Sequence, residues 1–168
     1  MLNDQEKEAI ERSDILIEGN TGFWEMRLEG DIHGTYVGSF RFKGFLTPLQ
    51  QIAANREYRE LIGPNPVLVP EHESFLAYAL TQLKYRIVSA PPFWSSANPS
   101  GGMAGDIADE NVIGAILDAA IGTEMKYKSQ LKKKRLDAVS RAKDAAEKLM
   151  DTKDEDEADE GEGEEDSD

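Results

Sequence analysis

The chain of 168 residues contains no cysteine, which excludes a disulfide scaffold, a thiolate metal site and a cysteine nucleophile. Only two histidines, His33 and His72, are available for imidazole chemistry. No window approaches the roughly 18 apolar residues of a membrane-spanning helix, so no membrane partner is expected. The opening MLNDQEKEAIERSD lacks the basic region and apolar run of a secretory signal, and a cytosolic product is expected. What the chain has in excess is negative charge. Its 33 acidic residues outnumber 19 basic ones, for a formal net charge of −14. Twelve of the acids lie in residues 151–168, where Lys153 is the only base, so that segment carries −11 and residues 1–150 carry −3. The acidity is therefore an appendage to a nearly neutral body of about one ordinary domain.

Hydropathy patterning predicts an α+β fold. Residues 1–13 are charged and too poor in apolar residues to dock firmly, and read as a mobile segment. Asp14 to Glu18 (DILIE) is short and apolar and is followed by Gly19-Asn20-Thr21-Gly22, a strand ending in a turn. In FWEMRLEG, Trp24, Met26 and Leu28 alternate with Glu25, Arg27 and Glu29. After a turn from Gly30 to Gly34, Tyr36, Phe40 and Phe42 fall on one side of TYVGSFRFKGF, with Ser39, Arg41 and Lys43 on the other. The two runs predict an antiparallel hairpin, or a three-stranded sheet with the first strand, whose apolar face needs a cover.

Three helices are predicted to supply it. Thr47-Pro48-Leu49-Gln50 combines a hydroxyl cap, a first-turn proline and a glutamine placed to close a capping box. Leu49, Ile52, Ala53, Leu61 and Ile62 are read as its apolar stripe, and Gly63-Pro64 as its stop. A second helix is predicted over 71–90, with Leu76, Ala79, Leu80, Leu83 and Ile87 on one side and Pro91-Pro92 as terminator. Residues 91–106 (PPFWSSANPSGGMAGD) read as a loop. Asp109 and Glu110 suit a helix N-terminus, and a long helix is expected from Asn111 to about Met150. Its first half, with Ile113, Ile116, Leu117, Ala120 and Ile121, suits packing. Its second half is charge and alanine and is expected to project. The expected organisation is a mobile segment 1–13, an α+β domain 14–125, a charged projecting helix 126–150 and a disordered acidic tail 151–168.

No catalytic or cofactor constellation emerges, and no metal is expected. Glu71-His72-Glu73 lacks the spacing that would place two imidazoles on one helix face, and acids are favoured at a helix start anyway. His33 lies in a glycine-flanked turn where exposed polar residues are ordinary. GNTG at 19–22 and GGMAG at 101–105 lack the lysine and spacing of phosphate-binding loops. Ser95 and Ser96 have no nearby base. A non-enzyme is therefore expected.

Two features suggest contacts with partners. Lys126, Lys128, Lys132, Lys133, Lys134 and Arg135 form a basic patch that could attract an acidic partner, or could simply be a solvated helix surface. The acidic tail would compete for these cations, so binding to naked DNA is not expected. Pro91, Pro92, Phe93 and Trp94 offer two aromatics, which either tuck under the hairpin or stand exposed as a partner-binding anchor.

The order of YVGSFRFKGFLT, PLQQIAANREYRELIGPNP, FLAYALTQLKYRIVSAPPFW and a charged terminal helix resembles small virion morphogenesis proteins of tailed bacteriophages, especially tail assembly chaperones. The resemblance covers roughly residues 35–145 and is one of pattern, with no invariant catalytic motif. It implies a non-enzymatic factor, without cofactor, that binds the tape measure protein or a tail-tube protein in the host cytoplasm. The β-hairpin and acidic end depart from that pattern. They leave open a structural or scaffold component of the virion, or an acidic regulator that mimics nucleic acid. Self-association through the last helix is a further expectation.

Overall fold

The structure is a computed structural model that describes residues 15–97 and 107–156, with side chains described over 15–94 and 107–148. The chain divides into two compact units, Met1–Lys128 and Ser129–Asp168. The first unit is built on a four-stranded antiparallel sheet in the order β1-β2-β3-β4, with β1 at Leu16–Glu18, β2 at Thr21–Glu29, β3 at Thr35–Lys43 and β4 at Ile87–Ser89. Helices α1 (Pro48–Ile62) and α2 (Glu71–Arg86) lie between β3 and β4, joined through a 3-10 turn at Pro66–Leu68. A short helix α3 (Pro92–Ala97) follows β4, and α4 runs from Glu110 to Asp156.

The alternation in β2 and β3 places the expected side chains together. Trp24 pairs with Phe40, Met26 with Gly38 and Leu28 with Tyr36, so one face of the sheet is apolar. Phe40 and Phe42 are fully buried with their rings stacked at 5.6 Å. Ala79 and Leu83 of α2, Trp94 of α3 and Val112, Ile113, Ile116, Leu117 and Ala120 of α4 complete the same core. Burying one face of a twisted antiparallel sheet under helices is the two-layer solution open to a body of this size.

Sheet and helix boundaries differ from the sequence expectation in three places. The second helix stops at Arg86 rather than running to residue 90, because the β-branched pair Ile87-Val88 joins the edge of β3 and Ala90 precedes a proline, which disfavours helical geometry. The stretch after Pro91 is not wholly loop, since Pro92–Ala97 is helical. The last helix extends through Asp156 rather than ending near Met150. Segments 1–13 and 98–106 and the end of the acidic tail lie outside the described residues.

The capping box at the start of α1 is formed: the Gln50 amide donates to Thr47 Oγ1 at 3.3 Å, and the Thr47 amide donates to Gln50 Oε1 at 3.1 Å. The stripe assigned to that helix is not what docks it. At about 100° per residue, Leu49 and Ile52 fall nearly opposite Ala54 and Tyr58, so the apolar residues never share one face. Ala54 is the buried residue of α1, while Leu49, Ile52 and Leu61 are exposed.

A candidate interaction surface

Polar groups hold α1 to α2. Glu57 accepts from Lys84 Nζ at 2.9 Å to both oxygens and from the Tyr85 hydroxyl at 2.5 Å. The Tyr85 hydroxyl and the Lys84 ammonium together hold the Glu57 carboxyl below its ordinary range, and Glu57 in turn raises both partners. One residue on, the Tyr58 and Ser74 hydroxyls share a hydrogen bond at 2.7 Å, and the Tyr58 ring meets Tyr78 edge-on at 6.0 Å. A surface helix usually docks through its apolar stripe. Here the clasp is polar, and the large aliphatic side chains of α1 and the following turn are left facing solvent.

The exposed aliphatic side chains are Leu49 and Ile52, neighbours on one side at the start of α1, then Leu61, which the 100° spacing puts nearer the side of Ala54, and Val67 and Leu68 of the 3-10 turn. Leu49 is 79% exposed and Val67 94%, so neither is a core residue with a grazed edge. Single exposed apolar residues are ordinary, whereas Leu49 and Ile52 adjoin on one side of α1 and form the candidate binding face. Arg56, Arg59 and Glu60 lie exposed on the same helix and provide a polar border.

The residues predicted to bind partners through the PPFW segment are placed elsewhere. Trp94 is buried, with its ring edge-on to Phe40 at 5.8 Å. Phe93 is half-buried against Tyr36 at 5.1 Å and Phe40 at 6.1 Å. Pro91 is buried over Gly38, where a Cβ would come within 2.4 Å of the proline Cβ; only a glycine leaves room for this approach. Pro92 alone of the four is exposed. The exposed-anchor reading is thus corrected: hydrophobic burial under the sheet takes both aromatics, and the segment is a structural plug.

The basic patch splits. Lys126 Nζ donates to the Ile15 carbonyl at 3.0 Å, and Lys128 Nζ donates to Glu124 Oε1 at 2.5 Å. Glu124 also accepts from the buried Arg86 guanidinium. Burial raises the Glu124 carboxyl, but Lys128 and Arg86 outweigh it and leave the group lowered. These two lysines therefore fasten α4 within the first unit. Lys132, Lys133, Lys134 and Arg135 are exposed in the second unit.

The histidines also separate. His72 is exposed, with Nε2 4.0 Å from Glu73 Oε1. His33, for which the sequence suggested no role, belongs to a latch centred on Asp109. That fully buried carboxylate accepts from the amides of Ile32 at 2.5 Å and His33 at 3.1 Å, and from the Tyr36 hydroxyl at 2.7 Å; His33 Nδ1 lies 3.3 Å away. Burial pushes the Asp109 carboxyl up, but the bonds from Tyr36, Ile32 and His33 prevail and hold it below its usual range. The same contact pushes Tyr36 up to about 12. Gly30 admits the carboxylate, since a Cβ there would lie 2.7 Å from Asp109 Cγ. Asp109 thus ties the β2–β3 turn to the start of α4, a fastening of the fold with every oxygen engaged.

The described residues contain no cluster of three or more histidine or carboxylate side chains able to hold a metal ion, and no helix among them is long and apolar enough to cross a membrane. No family model matches the chain, and neither the curated proteins nor the solved structures return a match.

Proposed function

We propose that the chain is a non-enzymatic tail assembly chaperone of a tailed bacteriophage that binds the tape measure protein, or a tail-tube protein, and keeps it soluble during assembly. The observation that carries this reading is the solvent-facing pair Leu49 and Ile52, on a helix whose opposite side is docked by Ala54 and Tyr58 and held by the Glu57 clasp. A chaperone needs an apolar surface that its own core does not consume, and the reversible occupant that fits it is the apolar face of a client helix. The net charge of −14 supplies the complementary requirement, because it opposes aggregation of a complex that carries exposed apolar segments. The resemblance of residues 35–145 to tail assembly chaperones supplies the identity of the client class.

The test is co-expression with the tape measure protein of the same phage. The double variant Leu49→Asp, Ile52→Asp is expected to weaken client capture by about 100-fold or more, as loss of two central apolar contacts does in other interfaces. Both side chains are exposed, so the thermal midpoint should stay within a few degrees of wild type. Undiminished capture by a folded double variant would remove the α1 surface from the mechanism.

A further inference from the structure

The second unit, Ser129–Asp168, is described over residues 129–156 as helix, and its side chains from Lys132 to Lys148 are all exposed. Leu136 and Val139 are 61% and 68% exposed, and with Ala142 and Ala146 they fall on one side of the helix at the three- and four-residue spacings of a packing face. The charge along this segment is polarised. Lys132, Lys133, Lys134 and Arg135 contribute +4 at one end, while residues 144–156 contain six acids and two lysines, 2 − 6 = −4, at the other.

We propose that this helix pairs antiparallel with the same helix of a second copy of the chain. The charge distribution selects both occupant and orientation. A parallel pair would set the +4 block against its own copy, whereas an antiparallel pair sets it against the −4 stretch at both ends of the contact. The antiparallel arrangement also opposes the two macrodipoles. A lone helix with an acidic C-terminal end is destabilised by its own dipole, and a basic block from a partner relieves that charge. Within the segment, Lys143 and Glu147 make an i,i+4 contact at 4.0 Å. The pairing face is distinct from the α1 surface assigned to the client.

Sedimentation equilibrium of the full chain tests the pairing. A dimer is expected at micromolar concentration in 50 mM NaCl, weakened by about tenfold or more in 500 mM NaCl because screening acts on the end-to-end charge contacts. Reversing the block with Lys132→Glu, Lys133→Glu, Lys134→Glu and Arg135→Glu should give a monomer with unchanged circular dichroism in the sheet region. Orientation is read by crosslinking in a chain that otherwise has no thiol. Mixing Lys132→Cys with Met150→Cys and adding a short bismaleimide should give mainly the mixed product, because the basic block meets the acidic stretch when 132 faces 150, the midpoint of that stretch, and two copies of position 132 then stand about 27 Å apart. A monomer at every concentration, including one whose acidic end folds back on its own basic block, would overturn the proposal. So would a dimer indifferent to the charge reversal, or one in which each cysteine variant crosslinks chiefly to itself.

Discussion

Replacing Trp94 with alanine is expected to destabilise the first unit by about 3–5 kcal/mol. The indole is nearly fully buried, meets Phe40 edge-on at 5.8 Å, and belongs to the one cluster that joins sheet, α2 and α4. A loss of that size is about a fifth or more of the stability of an ordinary domain. Urea unfolding followed through Trp24, the only other tryptophan, measures it in isolation. Deletion of residues 91–94 should be more severe, since it also removes Pro91 from its seat over Gly38 and Phe93 from Tyr36. A midpoint within about 0.5 M urea of wild type for Trp94→Ala would mean that the plug is not seated as described.

The second large effect is expected at Asp109. Asp109→Asn retains the shape of the side chain but replaces one acceptor oxygen by a donor among partners that donate to the carboxylate: two amides and the Tyr36 hydroxyl. The thermal midpoint should fall by about 10 °C or more, because a buried network loses its charge and one of its two acceptor oxygens and gains a donor that faces donors. The pH dependence follows from the direction of the shifts. Asp109 is lowered in the folded chain, so its contribution is present above the unfolded value of about 4 and is lost as pH falls through the lowered one. Tyr36 is raised to about 12, so its contribution is present below about pH 10 and is lost as pH rises toward 12. Stability from the latch should therefore form a plateau between about pH 4 and pH 10. Asp109→Asn should flatten the acid limb and return one tyrosine from about 12 toward its ordinary titration near 10, measured by phenolate absorbance. A wild-type chain in which every tyrosine titrates near 10 would contradict the latch.

The features legible in the sequence were those written in local periodicity and local punctuation. The alternation of Trp24, Met26 and Leu28 with charged neighbours specified one face of β2, and the register places those residues opposite Phe40, Gly38 and Tyr36 as a hairpin requires. Thr47 and Gln50 defined the start of α1 because a capping box is complete within four residues. The N-terminus of α4 was legible in the same way, although Asp109 turns its carboxylate to a turn more than 70 residues earlier in the chain. Nothing in the surroundings of either segment announces that meeting.

Other misses have the same origin. β4 is three residues long and exists because an edge of β3 is available to it, a tertiary reason that Ile87-Val88 does not carry alone. On α2 the buried side includes Gln82 and Arg86, residues whose polarity argues for solvent although Arg86 stands seven positions after Ala79 on the same side; Arg86 is held inward by Glu124 on α4. The candidate client surface was hidden by treating Leu49, Ile52 and Leu61 as one stripe. A helical wheel separates Leu49 and Ile52 from Ala54 and Tyr58, and that separation is the signal by which the sequence could have revealed an apolar surface without a core to enter. The PPFW segment had two readings in sequence, and burial over Gly38 and Phe40 distinguishes them.

The most direct test of the assembly-chaperone reading is to co-express the tagged chain with the tape measure protein of the phage that this reading implies, measure how much of that protein stays soluble and co-purifies, and assay finished particles for the chain by quantitative mass spectrometry. Capture and solubilisation of the tape measure protein together with absence from the particles is the predicted result. Stoichiometric retention in the particles, or a tape measure protein equally soluble without the chain, would contradict it.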